Sequence, residues 1–274
     1  MLEVARAALK GLPGGPVELR ALPRVESTNT ALKQELARGE LAAPLLLLTG
    51  DQYAGRGTRG RGWLMQPGRD LAFSIAAPDC GGAAFEPRLT LALGAVVAKA
   101  LAQYCPGVGV SWPNDVVAGP PLGARKLGGI LVETVVHPAT RQRWYIAGVG
   151  INVNSTAADF PPELALELTT LRDEMHRLRP AGADASLDLG QILASLARAI
   201  LALLASDGGG ETWEQTWRAL DRTAGKTWLY QRGDRSVRVT AEEIDLASGE
   251  LLARDEAGLL HRIRSYTDLS RARG

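Results

Sequence analysis

The stretch from Asp51 to Trp63, which reads DQYAGRGTRGRGW, constrains the possible folds of this chain more than any other feature. It places three arginines and five glycines or alanines between two apolar runs, residues 45–48 and 71–75. Glycine lets the backbone approach a ligand closely, and arginine donates forked hydrogen bonds to phosphate and carboxylate groups. A loop of this composition between two strands predicts an anion-binding site.

Gly55, Gly57 and Gly60 also match the dinucleotide-binding pattern G-x-G-x-x-G. That pattern requires a helix that begins at the third glycine, so that the helix N-terminus can hold a pyrophosphate. Gly62 and Pro67 follow too closely for a helix to begin there, and the dinucleotide-binding interpretation is rejected. Taken alone, the stretch could equally be a mobile hairpin or an RNA-binding segment rich in arginine and glycine.

Length and charge narrow the class of protein. A chain of 274 residues suits one large domain, or one domain with a small appendage. A formal net charge of +1 does not favour bulk binding to nucleic acid or membrane. The three histidines are isolated in the sequence and do not favour a histidine-based metal site. No signal peptide is evident, and the apolar runs are too short to span a bilayer. With Cys80 and Cys105 expected as buried free thiols, these features predict a cytoplasmic protein.

The apolar periodicity predicts an α+β fold, in which a mixed, largely antiparallel sheet packs with helices. Strands are predicted at residues 17–25, 45–49, 71–76, 108–112, 116–118, 128–136 and 144–154. Helices are predicted at residues 28–38, 87–104, 162–178, 187–204 and 211–221. From Thr227 onward, short strands and glycine-containing turns predict a small all-β domain. The predicted domains are therefore residues 1–222 and 223–274.

Four further segments each carry a weak signal for a ligand site. Residues 27–29 lie at a strand-to-helix junction, where helix capping alone would explain them. Residues 112–115 form a turn for local reasons. Lys126 precedes two glycines and an apolar strand, and residues 148–154 carry glycines at a strand end, where a bulge or a ligand can lie. Their order along the chain is more informative than any one of them.

Five blocks, in this order, resemble the biotin protein ligase family, the biotin–[acetyl-CoA-carboxylase] ligases. The blocks are ESTN at residues 26–29, DQYAGRGTRGRGW at 51–63, WPND at 112–115, KLGGILVE at 126–133 and GVGINVN at 148–154. The resemblance covers about residues 20–155, and the final β segment is similar to the family's small SH3-like C-terminal domain. It implies a biotin/lipoyl ligase-like catalytic domain followed by that small domain.

The resemblance implies a two-step reaction that uses ATP and Mg²⁺. Biotin is joined to ATP as biotinyl-5'-AMP, and the biotinyl group then passes to a lysine of the biotin carboxyl carrier domain of acetyl-CoA carboxylase. Because a carboxylate must meet the α-phosphate, cations have to offset the repulsion between two anions. Arg56, Arg61 and Lys126 are the candidates for that catalytic role. Asp115 would help either to accept the proton of the incoming amine or to place Mg²⁺.

By the same resemblance, individual residues are expected to contact the substrates. Those expected around biotin are Ser27, Thr28, Asn29, Gln52, Gly55, Arg56, Lys126, Gly128 and Gly129. Those expected around ATP or the adenylate are Arg59, Arg61, Trp63, Asn114, Lys126 and Asn152. The polar groups at the biotin end would satisfy the ureido ring inside an otherwise apolar pocket.

Two positions depart from the pattern of the family, and one of its features is missing. Thr58 stands where relatives often have an arginine that helps to retain the adenylate, and Ser111 replaces the usual lysine before WPND. Only 26 residues precede Ser27, too few for a helix-turn-helix domain, so a monofunctional ligase that binds no DNA is expected. Monomer and homodimer both remain open.

Two other functions compete with this interpretation. A lipoate or other acyl ligase of the same fold is disfavoured by the intact arginine–glycine loop and the KLGG block. An RNA-binding module would need clustered positive charge and exposed aromatic side chains, which the balanced charge does not supply. ATP–pyrophosphate exchange that depends on biotin, rather than on lipoate or RNA, would separate the three.

Overall fold

A computed structural model describes residues 17–80, 86–120, 123–179, 186–206, 211–232, 234–265 and 268–271, together with Glu3 and Arg6. The first nine strands are β1 (Glu18–Leu22), β2 (Leu45–Thr49), β3 (Gly55–Arg56), β4 (Gly62–Trp63), β5 (Leu71–Pro78), β6 (Val108–Ser111), β7 (Asp115–Ala118), β8 (Arg125–Val136) and β9 (Arg143–Ile151). Seven of them form the main sheet in the order β1-β2-β5-β9-β8-β7-β6, and β3 pairs with β4 in a separate hairpin. Within the main sheet β1 and β2 are parallel and the other neighbours are antiparallel, which confirms the predicted mixed sheet.

The helices are α1 (Thr28–Ala37), α2 (Glu86–Ala102), α3 (Pro162–Ala165), α4 (Leu171–Leu178), α5 (Leu189–Leu204) and α6 (Glu211–Leu220). The single helix predicted over residues 162–178 is wrong, because the chain leaves α3 and forms a bridge between Leu168 and Lys126. Thr170 then starts α4 as its N-cap, accepting a hydrogen bond from Asp173 N at 2.9 Å. The interruption lies beside the residues that form the candidate site.

The centre of the main sheet is buried on both faces, and successive side chains of β2 and β5 point to opposite sides. Leu45 and Leu47 of β2 pack with α1 on one face. Leu46 and Leu48 point into the larger core on the other face, where α2, α5 and α6 also pack. Full burial of a leucine stabilises the fold by about 1.5–3 kcal/mol. The centre of the sheet is therefore a rigid platform for the groups on the α1 face.

A second sheet follows the helices. Its strands are β10 (Thr227–Arg232), β11 (Arg235–Asp245), β12 (Glu250–Asp255), β13 (Leu260–Ile263) and β14 (Leu269–Arg271). They are antiparallel neighbours in the order β13-β12-β11-β10-β14. Gly249 and Gly258 lie in its turns with φ of 78° and 84°, a conformation that glycine adopts readily. The small all-β C-terminal unit is thus confirmed, while the domain boundary at residue 222 stays a prediction.

The lengths of the helices and the burial of the two cysteines bear on where such a chain can reside. No helix in the described part of the chain has both the length and the apolarity needed to cross a bilayer. Cys105 is buried, but Cys80 is exposed, which corrects the expectation that both thiols are buried. Cys80 lies two residues beyond Pro78, the last residue of β5.

Candidate active site

A cavity of about 590 Å³ lies on the α1 face of the main sheet, between the sheet, the β3–β4 hairpin and β10. Five of its lining residues are direct cross-strand partners in one line: Ala72, Gly150, Gly129, Asp115 and Ser111. We call these five the floor row. The row crosses five strands, and four inter-strand spacings of about 4.8 Å make it roughly 19 Å long. Small residues at its first three positions leave the space above the sheet that forms the cavity.

The cavity brings together most of the residues that the sequence singled out. It is lined by Ser27, Thr28, Asn29, Gln52, Arg56, Arg61, Trp63, Asn114, Asp115, Lys126, Gly129 and Asn152. Gly55 and Gly128 lie beside the lining, where a Cβ would meet Trp63 O at 2.4 Å and Ile151 Cδ1 at 2.5 Å respectively. Both glycines therefore permit close backbone packing around the cavity. The side chain of Arg59 lies outside what the structure describes.

One end of the cavity consists of neutral hydrogen-bonding groups at the start of α1. Thr28 donates its backbone N–H to Gln52 Oε1 at 2.9 Å, and Ser74 Oγ lies 2.6 Å from both Thr28 Oγ1 and Asn29 Oδ1. An amide oxygen only accepts, so Ser74 donates to Asn29 and Thr28 supplies the hydrogen between the two hydroxyls. Because Gln52 uses its Oε1 atom for Thr28, its NH₂ group has no partner among the described residues and is available to a ligand.

A carboxylate fixes Asn29 from its other side. Asn29 Nδ2 donates to Glu133 Oε2 at 3.1 Å, and Lys33 Nζ donates to Glu133 Oε1 at 2.7 Å. Burial raises the pKa of the Glu133 carboxyl, but the hydrogen bonds from Lys33 and Asn29 outweigh burial and hold that pKa below its usual value. A Cβ on Gly148 would lie 2.2 Å from Asn29 Oδ1, so glycine is needed there. Asn29 is thus held in one orientation by groups on both sides.

The β3–β4 hairpin covers the middle of the floor row. Its strands pair around a single 3₁₀ turn at Thr58–Gly60, and no α-helix begins within these described residues. The Trp63 indole lies against the sheet, because a Cβ on Gly150 would be 2.3 Å from Trp63 Cε2 and one on Gly129 would be 3.5 Å from Cζ3. Trp63 therefore forms a lid over the glycines of the floor row.

A β-bulge in β8 turns Lys126 toward the cavity. Consecutive residues of β7 pair with Gly128 and Lys126, so Leu127 is an extra residue in β8. In a regular strand, Lys126 and Gly129 would point to opposite faces. With the extra residue they share a face, and a Cβ on Gly129 would lie 3.4 Å from Lys126 Cε. The sequence placed Lys126 ahead of a strand beginning at Gly128, whereas it lies inside that strand.

Lys126 and Asp115 form an ion pair at the floor row. Their Nζ and Oδ1 atoms are 2.6 Å apart, and the side chains are 38% and 31% exposed. Lys126 Nζ also lies 5.8 Å from the centroid of the Trp63 ring. An ion pair with this much access to solvent stabilises a fold by about 0–1 kcal/mol. An anionic ligand can therefore replace Asp115 as the partner of Lys126 at little cost.

The backbone of Lys126 is fixed by the segment between α3 and α4. Its N–H donates to Glu167 O at 2.9 Å, and its carbonyl accepts from Thr169 N at 2.8 Å. Buried Glu174 holds this segment, accepting from Thr169 Oγ1 at 2.8 Å and from Arg177 Nε at 2.9 Å. The interruption of the expected helix therefore supports the lysine.

Two asparagines expected at the nucleotide are held by the surrounding backbone. Asn114 Nδ2 donates to Ile130 O at 2.8 Å, and Asn152 Nδ2 donates to Thr169 O at 3.1 Å. Each amide thereby has a defined orientation at the cavity wall.

Arg56 and Arg61 lie on the hairpin with exposed side chains at the mouth of the cavity. Neither forms an ion pair with another residue in the part of the chain that the structure describes. Arginines without a fixed carboxylate partner can turn toward a phosphate or carboxylate ligand.

The second sheet brings a further cation to the far end of the floor row. Lys226 lies one residue before β10, lines the cavity, and donates from Nζ to Ser111 Oγ at 2.9 Å. Ser111 stands where the biotin protein ligase family usually has a lysine, immediately before the WPND block. A cation separated from Ser111 by 115 residues therefore reaches the same position.

Sequence reasoning missed Ser74 and Lys226. Ser74 carried a recognisable signal, because it is the one hydroxyl in the otherwise apolar strand LAFSIAAP. Lys226 carried no local signal, since its contact with Ser111 depends on how the second sheet meets the first.

The carboxylates that line the cavity bear on whether a metal ion can bind there. Among the described residues, no three histidine, cysteine, aspartate or glutamate side chains are grouped as a metal site. Mg²⁺ commonly takes one or two carboxylates and completes its coordination with water and substrate phosphates. Asp115, with Glu167 also lining the cavity, fits a magnesium ion that arrives with a nucleotide.

Known proteins share both the sequence pattern and the fold. Residues 21–152 match the model of the biotin/lipoate A/B protein ligase family. The bifunctional ligase/repressor BirA of Escherichia coli is 30% identical over 254 residues, covering 92% of this chain and 73% of that protein. A biotin–[acetyl-CoA-carboxylase] ligase of Paracoccus denitrificans is 36% identical over 141 residues, covering 50% of this chain and 54% of that protein.

A solved structure supports the same fold. The biotin protein ligase of Aquifex aeolicus, in complex with biotin and ATP, aligns with a TM-score of 0.66 and 23% identity. The alignment covers 92% of this chain and 97% of that one. At this identity the similarity shows a common architecture.

Proposed function

This chain belongs to the biotin/lipoate A/B protein ligase family, and from that premise we propose that it is an ATP-dependent biotin protein ligase. It would activate biotin as biotinyl-5'-AMP and transfer the biotinyl group to a lysine of a biotin carboxyl carrier domain. The E. coli and Paracoccus relatives support this proposal by name and by their identity to the chain.

The single observation that carries the proposal is the chemical asymmetry of the cavity. Neutral donors and acceptors on Thr28, Asn29 and Gln52 lie at one end, while Lys126 lies farther along the floor row. Biotin has the same asymmetry, with a neutral ureido ring at one end and a carboxylate at the other. Its ring would bind at the start of α1, beside Ser27, and its carboxylate would then point toward Lys126.

The polar end also favours biotin over lipoate. The dithiolane ring of lipoate offers only weak hydrogen-bond acceptors, so it would leave the Gln52 NH₂ group without a strong partner. A buried polar group that loses water without a replacement costs about 1–3 kcal/mol. Biotin would give this group a partner and avoid that cost.

In the first step, a biotin carboxylate oxygen attacks the α-phosphorus of ATP and pyrophosphate leaves. Lys126, Arg56 and Arg61 would hold the carboxylate and phosphate oxygens and offset their mutual repulsion. Trp63, with Asn114, Asn152 and Arg59 nearby, would enclose the nucleotide above the floor row. Mg²⁺ bound to the phosphates would neutralise part of their charge, with Asp115 as one ligand.

In the second step, a lysine amine of the carrier domain attacks the carbonyl carbon of the adenylate, and AMP leaves. The amine loses a proton as the amide bond forms. Asp115 is the carboxylate nearest to Lys126, at 2.6 Å, and it would accept or relay that proton.

The proposal is tested by ATP–pyrophosphate exchange. The purified chain should catalyse exchange with biotin and MgATP, and give no exchange when lipoate replaces biotin. Adding an apo carrier domain should then give a product heavier by one biotinyl group in mass spectrometry. Exchange that responds to lipoate instead would refute the assignment of biotin as the substrate.

Lys126→Ala should lower the exchange rate by about 100-fold or more, because a cation that meets developing charge acts mainly in the transition state. Its free energy of unfolding should fall by less than about 1 kcal/mol, since the ion pair it loses is partly exposed. Lys99→Ala, an exposed lysine on α2, is the matched control. Equal exchange rates in the two variants would remove Lys126 from the mechanism.

A further inference from the structure

We infer that Lys226, at the junction with the second sheet, binds the phosphates of the nucleotide from the side opposite Lys126. The inference rests on the proposed ligase function, because it assigns an additional contact to the nucleotide of that reaction. It gives the C-terminal unit a direct part in substrate binding.

The two lysines converge on neighbouring positions of the floor row. Lys226 Nζ lies 2.9 Å from Ser111 Oγ, and Lys126 Nζ lies 2.6 Å from Asp115 Oδ1. Ser111 and Asp115 are direct partners across the β6–β7 hairpin. Directly opposed residues of an antiparallel pair have Cβ atoms about 5 Å apart. Two ammonium groups are therefore held at one end of the cavity, close enough to bind one polyanion.

Ser111, one of the partners of Lys226, is easily exchanged for a phosphate. Ser111 Oγ is a neutral acceptor, whereas a phosphate oxygen carries a negative charge that adds a Coulombic attraction to the ammonium group. A triphosphate presents several such oxygens, so it can contact Lys126 and Lys226 at the same time.

The backbone on either side of Lys226 is fixed to both sheets. Lys226 N–H donates to Thr223 O at 3.1 Å, and its carbonyl accepts from Ala241 N at 2.9 Å. Thr223 Oγ1 in turn accepts from Trp112 N at 2.9 Å. The position of the lysine is thus set by the docking of the second sheet on β6, which limits the entropy lost when it binds a ligand.

The position of Lys226 also predicts which substrate it affects. Ser111 lies four strands from β5, which carries Ala72 and Ser74 at the neutral end. That separation is roughly 19 Å, so the Lys226 ammonium reaches the nucleotide and not the ureido ring.

The experiment compares Lys226→Gln, Lys226→Arg and Lys99→Met with the wild type in biotin-dependent exchange, measuring KM for ATP and for biotin. Glutamine can still donate a hydrogen bond to Ser111 but carries no charge. Loss of one charge-assisted hydrogen bond should raise KM for ATP about 10- to 100-fold in Lys226→Gln. KM for biotin should stay within about twofold of the wild type, and Lys226→Arg should recover most of the loss.

A second variant tests whether the position of the ammonium group matters more than the residue that carries it. Ser111→Lys, added to Lys226→Gln, puts an ammonium back at the same end of the floor row and should lower KM for ATP again. If Lys226 has no part in binding ATP, Lys226→Gln leaves KM for ATP unchanged. If its role is purely structural, Lys226→Gln lowers the unfolding midpoint, and neither Lys226→Arg nor the added Ser111→Lys change restores it. Either of those results overturns the inference.

The wild-type assay separates this inference from the proposed function. A wild type without biotin-dependent exchange refutes the ligase function and the inference with it. A wild type that is active beside a Lys226→Gln variant with unchanged KM for ATP refutes the inference alone.

Discussion

At the residue scale, the candidate site depends on two positions where a side chain would leave no room. A Cβ at Gly150 would lie 2.3 Å from Trp63 Cε2, and one at Gly148 would lie 2.2 Å from Asn29 Oδ1. Neither glycine has a positive φ, so close approach, and not backbone conformation, requires them. The sequence showed glycines at a strand end, but it could not show which distant side chains they accommodate.

Gly150→Ala should displace Trp63 and weaken ATP binding. An extra methyl group in a packed site typically costs about 1–3 kcal/mol, part of which the hairpin can relieve by lifting Trp63 off the floor row. KM for ATP and the free energy of unfolding in urea should be measured beside Gly107→Ala. A Cβ on Gly107 would meet nothing closer than 3.4 Å. Equal KM values in the two variants would contradict the role of Trp63 as a nucleotide lid.

At the element scale, regular segments followed from the sequence and the interruptions did not. The leucine run at residues 45–48, followed by Thr49, predicted the observed bounds of β2, because a strand covered on both faces is mostly apolar. The break after α3 was missed, since helical spacing contains no information about the bridge between Leu168 and Lys126. The bulge at Leu127 was missed for the same reason, because it exists only in the pairing with β7.

The β3–β4 hairpin should become resistant to trypsin when biotin and ATP are both present. Its exposed Arg56 and Arg61 carry like charges, which an anion between them would bring together. With ligands at about 100 times their Kd, cleavage within the hairpin should slow by up to about 100-fold. Cleavage after Arg141, in an exposed turn away from the cavity, is the internal control. Hairpin cleavage that is insensitive to both ligands would refute closure over the substrates.

At the scale of the whole molecule, residues 221–226 join the two sheets along β6. Arg222 N–H donates to Val110 O at 2.8 Å, and Trp112 Nε1 donates to Gly249 O at 2.9 Å. The sequence predicted both units from their strand patterns and placed Trp112 in a local turn. Its contact with the second sheet could not be predicted, because 137 residues separate the two partners.

Trp112→Phe should destabilise the protein by about 1 kcal/mol more than Trp144→Phe. Both indoles are buried, at 2% and 4% exposure, so the two substitutions remove similar packing. Trp112 loses its hydrogen bond to Gly249, whereas Trp144 Nε1 has no hydrogen-bond partner in the described structure. Free energies of unfolding in urea compare the two. An equal or larger loss in Trp144→Phe would show that this hydrogen bond contributes nothing to the contact between the sheets.

The bulge at Leu127 also changes which residues of β8 face the cavity, from even-numbered to odd-numbered positions. Even-numbered Ala124 and Lys126 line the cavity before it, and odd-numbered Gly129 and Leu131 line the cavity after it. Lys126 and Gly129 are three residues apart, so a regular strand of this length would turn the lysine to the far side of the sheet. Deleting one residue between them would place them two apart, and a strand without the bulge would then keep both on the cavity face. The bulge and the odd spacing of the K-x-G-G segment are therefore one requirement, and a homologous chain with one residue fewer there would present its lysine to the cavity without a bulge.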